Sequence, residues 1–178
     1  MVTASKLLAT AALYEGFYIQ AFPEYSAERM GAPIQAFNRI CSEVIDLHCQ
    51  INEPDIVVVL DSTLLKTVDI TAGIKKDGII IINTPDDIDN IKSIIKSKKD
   101  NNNPIYIVDA TNISLEITGK AMPNTPMTGA LVKVTDFIKL DTLTRAIENT
   151  LSKKVPVHVV EANVLAVKRA FEEVRGSA

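Results

Sequence analysis

The chain has 178 residues, 47% of them hydrophobic, and its 19 basic and 22 acidic side chains leave a formal net charge of −3. That length and apolar content fit the core of one compact domain better than two small ones, and the slightly acidic balance offers no basic footprint for nucleic acid. The apolar runs Ile56 to Leu60 and Ile79 to Ile82 fall far short of the roughly 20 residues that cross a bilayer, and no basic then apolar leader opens the chain, so a soluble cytoplasmic protein is expected.

Thr3 to Glu15 places Ala4, Leu7, Leu8, Ala11 and Ala12 on one helical face, and Gly16 supplies a stop. Two strand-like runs follow, Phe17 to Phe22 and Ile34 to Cys41, separated by a segment shaped by Pro23, Gly31 and Pro33. Asp55 to Asp61, Ile79 to Asn83 and Ile105 to Asp109 are continuous β-branched runs of the kind covered on both faces. Between the last two, Asp86 to Lys99 carries Ile88, Ile91, Ile94 and Ile95 at helical spacing, with acidic residues first and lysines last, as the helix dipole favours. Asp100 to Pro104 reads as a turn. Pro126 to Val134, Leu140 to Leu151 and Val160 to Arg175 read as helices that close the chain. The alternation predicts a three-layer α/β/α, Rossmann-like open sheet, largely parallel, with C-terminal helices, in one domain over residues 1–178.

The chemistry-bearing residues are sparse. His48 and His158 lie far apart and in no nucleophilic arrangement, and neither G-x-x-x-x-G-K-[ST] nor G-x-G-x-x-G occurs. Cys41 and Cys49 read as reduced, buried thiols acting as small hydrophobes, and two thiolates cannot hold an iron–sulfur cluster that needs four. Asp61, at the end of a buried run, is expected to cap the following turn rather than to accept a ribose hydroxyl. Asp86, Asp87 and Asp89 read as a charged helix start, since the glycine and terminal glutamate of a calcium loop are lacking. No catalytic residue and no metal ligand is therefore assigned. Two segments have the character of recognition surfaces. Phe22 to Pro33 joins Glu24, Tyr25, Glu28 and Arg29 on a proline- and glycine-shaped loop. Asn124-Thr125-Pro126 offers a helix start that Thr125 can cap, and Gly129 with Ala130 would permit close approach of another surface.

Several of these motifs, in this order, resemble one family. Thr3-Ala4-Ser5-Lys6-Leu7-Leu8-Ala9, Gln20 to Tyr25 with Glu28-Arg29-x-Gly31-Ala32-Pro33, Glu53 to Asp61, and Asn124-Thr125-x-Met127-x-Gly129-Ala130 are similar to the gamma subunit of 2-oxoacid:ferredoxin oxidoreductases, with the pyruvate and 2-oxoisovalerate enzymes nearest. The resemblance extends to the closing helix and covers almost the whole chain. It implies a chain that is inactive alone and packs against alpha, beta and delta companions. Those companions carry thiamine diphosphate and iron–sulfur clusters, pass electrons to ferredoxin and transfer the acyl group to coenzyme A. It also implies that Glu24, Tyr25, Glu28, Arg29, Asn124 and Thr125 lie at an interface or near coenzyme A. Family members usually begin with a short strand and a turn of the G-x-G-G-Q-G kind, whereas this sequence begins Met1-Val2. A shortened version of a longer natural subunit is thus expected, one that self-associates when isolated. Two other classes stay open from the residues: an independent nucleotide-binding module and a purely structural scaffold.

Overall fold

A computed structural model describes residues 2–24, 34–46, 49–96 and 102–177. Helix α1 (Val2–Tyr14) is followed by strands β1 (Tyr18–Glu24) and β2 (Gln35–Cys41), which pair antiparallel with Ala21 opposite Asn38. Then come β3 (Ile56–Val59), the short α2 (Leu64–Thr67), β4 (Ile79–Asn83), α3 (Ile88–Lys96) and β5 (Ile105–Val108). Helices α4 (Ala110–Thr118), α5 (Pro126–Thr135), α6 (Leu140–Leu151) and α7 (Val157–Glu173) precede a final strand, β6 (Arg175–Ser177).

The four-stranded sheet runs β3-β4-β5-β6, parallel through β5, and β6 returns antiparallel beside β5. Side chains alternate across a strand, and the isoleucines of β4 show it: Ile80 and Ile82 join one apolar cluster and Ile81 the other, all three fully buried. The first face is covered by α2 and α3 through Leu65, Ile91 and Ile95. Helices α1, α4, α5, α6 and α7 supply most of the larger cluster on the second face. Each fully buried branched side chain contributes about 1.5–3 kcal/mol, which is why these runs specify strands covered on both sides. The expected three-layer, mostly parallel architecture is therefore present. The β1–β2 pair forms a sheet of its own rather than joining the larger one, and among the described residues no strand pairs with β3 on the side away from β4. Its inner face lies on α1, where Asn38 Nδ2 donates to the Ser5 carbonyl at 3.1 Å, and Ile19 and Ile40 pack against the large cluster.

The closing helix differs from the sequence expectation at both ends. The closing helix starts earlier, behind Pro156, and ends at Glu173, so that Arg175 belongs to β6. Helix α4 has no counterpart in the sequence expectation, and the expected end of the lysine-bearing helix, with Asp100 and Asn101 of the expected turn, lies outside the described residues. The cysteines also differ: Cys41 and Cys49 are free and exposed. Cys41 ends a strand of the small sheet, whose outer face is not packed on α1, and the Cys49 carbonyl accepts from Arg39 Nη2 at 3.1 Å. His158 is exposed, whereas His48 lies outside the described residues.

The tightest helix pair is α5 on α7. A Cβ built on Gly129 would overlap the Val167 carbonyl oxygen of α7, so the close approach that Gly129 permits is made within this chain. Gly16, by contrast, has φ +86° and open space around it; its glycine is demanded by the left-handed turn that ends α1. Gly129→Ala is expected to cost about 1–3 kcal/mol by forcing the helices apart, and Gly16→Ala about 1 kcal/mol through backbone strain alone. Thermal denaturation of both variants checks the order, and equal losses would remove the steric explanation.

Candidate functional site

Parallel strands deliver their following loops to one edge, and in open α/β sheets that C-terminal edge is where ligands meet the fold. Here a cavity of about 540 Å³ opens at that edge, lined by residues that follow three consecutive strands: Leu60, Asp61 and Ser62 after β3, Asn83 and Pro85 at the end of β4, Asp109 and Thr111 after β5. Asn112 and Leu115 of α4 and Pro123 before α5 complete it.

Asn83 holds the cavity floor together. Buried at 6% exposure, its Nδ2 donates to the Leu60 carbonyl at 2.8 Å and to Thr111 Oγ1 at 2.7 Å, while its Oδ1 accepts from the Thr111 N–H at 3.1 Å. One amide thus ties the end of β3 to the first turn of α4. Asp109 caps that helix, its Oδ1 accepting from the Asn112 N–H at 3.0 Å. Asn112 Nδ2 donates to Glu116 Oε1 at 2.9 Å, and Arg169 of α7 bridges Glu116 and Glu173. Asp61 is the turn cap that its position predicts: its Oδ1 accepts from the Thr63 hydroxyl at 2.7 Å and the Thr63 N–H at 2.9 Å. The Thr63 hydroxyl first, then the Thr63 N–H, hold the Asp61 carboxyl below the usual aspartate range.

The residues predicted from sequence are distributed unequally. Asn124 and Thr125 follow Pro123 directly and so stand beside the cavity, with Asn124 half-buried and Thr125 at 8% exposure. Pro126 occupies the first turn of α5 as expected, but Thr125 has helical φ and ψ and makes no side-chain cap. The Thr128 hydroxyl instead donates to the Thr125 carbonyl at 2.6 Å, because a residue already in helical conformation turns its side chain away from the free N–H groups. Glu24 ends β1. Tyr25, Glu28 and Arg29 lie outside the described residues. Sequence reading missed Asn83, Asp109 and Thr111; an asparagine ending an apolar strand and an aspartate three residues before Asn112 were the available signals.

An α/β fold with a polar cleft at the ends of its parallel strands defines a broad class, and similarity narrows it. The family model described as pyruvate ferredoxin/flavodoxin oxidoreductase matches residues 1–173. The chain is 46% identical over 175 residues to the pyruvate synthase subunit PorC of Thermotoga maritima, covering 98% of this chain and 88% of that protein. It is 44% identical to the common gamma subunit of the pyruvate/ketoisovalerate oxidoreductases of Pyrococcus abyssi, covering 97% and 89%. The crystal structure of a pyruvate oxidoreductase subunit PORC from Thermotoga maritima superposes with a TM-score of 0.83 at 43% identity, covering 99% of this chain and 90% of that one. The chain belongs to the pyruvate ferredoxin/flavodoxin oxidoreductase family.

Two outcomes are expected from this geometry. Asn83→Leu leaves the Leu60 carbonyl and the Thr111 N–H without their side-chain partner and should cost about 1–3 kcal/mol in chemical denaturation; a neutral result would show that the amide does not hold the floor. The Asp61 carboxylate is favoured by folding, so its stabilisation is present above the unfolded aspartate pKa of about 3.9 and is lost as pH falls through the lower folded value. The melting-temperature gap between wild type and Asp61→Asn should accordingly narrow on acidification below about pH 4, and a gap independent of pH would refute the hydrogen-bonded carboxylate.

Proposed function

We propose that this chain is the gamma subunit of a multi-subunit 2-oxoacid:ferredoxin oxidoreductase, acting on pyruvate, and that it covers and shapes a reaction site carried by companion chains. The observation that supports this most is identity of 46% across 98% of the chain to a pyruvate synthase subunit. In this reading alpha, beta and delta chains are its partners, and ferredoxin receives the electrons through them. When bound in the assembly, thiamine diphosphate supplies decarboxylation, iron–sulfur clusters carry electrons, and coenzyme A takes the acyl group.

The residues of this chain fit that division of labour. Two cysteines in the sequence cannot provide four cluster thiolates. The cavity at the strand ends, lined by Asp61 and Asp109 and by no lysine or arginine, does not fit the phosphates of coenzyme A. The Phe22–Pro33 segment does contain a cation, Arg29, the type of residue that pairs bidentately with phosphate. We therefore assign the approach of coenzyme A to that segment, with Glu24, Tyr25, Glu28 and Arg29 as its candidate residues and Asn124 and Thr125 as a second candidate interface. A covering domain of this kind excludes water and orients a cofactor without contributing a reacting group.

Reconstitution with the companion subunits tests the reading. The isolated chain should give no oxoacid-dependent dye reduction with thiamine diphosphate and coenzyme A added, and the complex should be active; robust turnover by the chain alone would overturn the subunit role. Arg29→Ala and Glu28→Ala should leave the melting temperature in place while raising the apparent KM for coenzyme A, or weakening assembly by about 2–5 kcal/mol. If both quantities stay at wild-type values, the segment is only a solvated connection.

A further inference from the structure

We propose that Cys41 and Cys49 form a reversible redox pair, closing an intrachain disulfide at the exit of the small sheet when the protein meets a hydroperoxide. They are the two cysteines of the sequence, and both are free and exposed. This inference stands apart from the subunit reading above.

The small sheet brings the two thiols to one side. In β2, Asn38 bonds to α1 and Ile40 packs against the large apolar cluster, so Arg39 and Cys41 share the opposite, outer face. Arg39 is also in contact with Cys49: its Nη2 donates to the Cys49 carbonyl at 3.1 Å and lies 3.9 Å from Cys49 Sγ. The same guanidinium donates through Nη1 to Gln20, which stands directly opposite Arg39 in the ladder. One cation therefore draws Cys49 onto the face that carries Cys41.

The backbone around the pair leaves room for a bond to form. Cys41 is the last residue of β2, paired with Tyr18 at the start of β1, and its Sγ accepts from the Glu43 N–H at 3.4 Å as the chain turns away. Residues 42–46 form neither helix nor strand, and Ser42, Glu43, Val44 and Asp46 are exposed. A disulfide brings its two Cα atoms to roughly 4.4–6.8 Å. Cys49 belongs to no helix or strand, so it is the member that moves to meet that requirement.

The chemistry balances with one hydroperoxide. Cys49 Sγ attacks the terminal peroxide oxygen, the O–O bond breaks, and the thiol proton passes to the departing oxygen, leaving a sulfenic acid on Cys49 and an alcohol or water. Arg39 supplies a positive charge beside this sulfur, where the departing oxygen gains negative charge and a fixed donor accelerates the step. Cys41 Sγ then attacks the sulfenic sulfur. The S–S bond forms, the S–O bond breaks, and the hydroxyl leaves with the Cys41 proton as water. A dithiol reductant returns both thiols by exchange. In the oxidised form the end of β2 is tied covalently to the segment that leads into β3.

The test treats the full chain with hydrogen peroxide and follows the mass of its tryptic peptides. Cleavage after Arg39 and Lys66 leaves both cysteines in one peptide, which should lose two hydrogens in the wild type and regain them with dithiothreitol. Cys41→Ser should stop at a Cys49 sulfenic acid that dimedone traps, while Cys49→Ser should leave Cys41 reduced. Arg39→Leu should be oxidised at least about tenfold more slowly, with Arg39→Lys recovering most of the rate. The two serine variants keep Arg39 and decide the matter if Arg39→Leu melts early. Oxidation of the thiols without loss of two hydrogens, a disulfide between two copies of the chain, or equal trapping by dimedone in both serine variants would overturn the pair.

Discussion

The carbonyl oxygen of Val167 lies so close to α5 that position 129 can hold no side chain, and the helical layer is organised around that limit. Interaxial distance depends on the side chains at the crossing, so a glycine there lets α5 lie flat on α7 and bury Met127, Ala130 and Leu131 against Ala166, Val167 and Ala170. Once α7 is placed, its end is placed as well. Val174 leaves the helix in extended conformation and β6 pairs with β5, closing that edge of the sheet. Helix α7 also packs on α4 and holds it through Arg169 and Glu116. The wall of the cavity formed by α4 is thus positioned from behind by a contact made far from the cavity itself.

Two kinds of bonding then act at the strand ends. Regular ladders carry β3, β4 and β5 to the edge, and side-chain amides and carboxylates take over where the ladders stop: Asn83 between β3 and α4, Asp61 in the turn before α2, Asp109 at the start of α4. Each satisfies backbone groups that would otherwise face solvent or go unpaired. The result is a concavity lined by two carboxylates and by no lysine or arginine, its floor held by one buried amide.

Much of the architecture was legible in the sequence. The runs of Ile, Val and Leu at 56–60 and 79–82 could be satisfied only by burial on two faces, and Leu140–Leu151 declares itself as a helix by spacing alone. Helix α4 escaped because Ala110–Thr118 contains β-branched residues at Thr111, Ile113, Ile117 and Thr118, which weaken helix propensity; its caps, Asp109 and a left-handed Gly119, settle the matter in three dimensions. The buried reading of the cysteines failed for a different reason. Whether a strand has one or two covered faces depends on what lies beyond it, and nothing within Gln35–Cys41 reports that β2 belongs to a small sheet with α1 on one side only. The same holds for the cavity: its residues are scattered over three strand ends, and only the fold brings Asp61, Asn83 and Asp109 together.

The place of β4 in the sheet has a consequence for how the molecule breathes. Its amide groups lie between β3 and β5, with Ile80, Ile81 and Ile82 fully buried, so their protons should exchange with solvent only when the sheet opens as a whole. Among the described residues strand β3 is bonded to a neighbour on one side, and its outward N–H groups can exchange through local excursions that leave the β4 ladder closed. Deuterium uptake would therefore divide this sheet into a slow interior and a fast margin, and the margin is the strand that leads directly into Asp61.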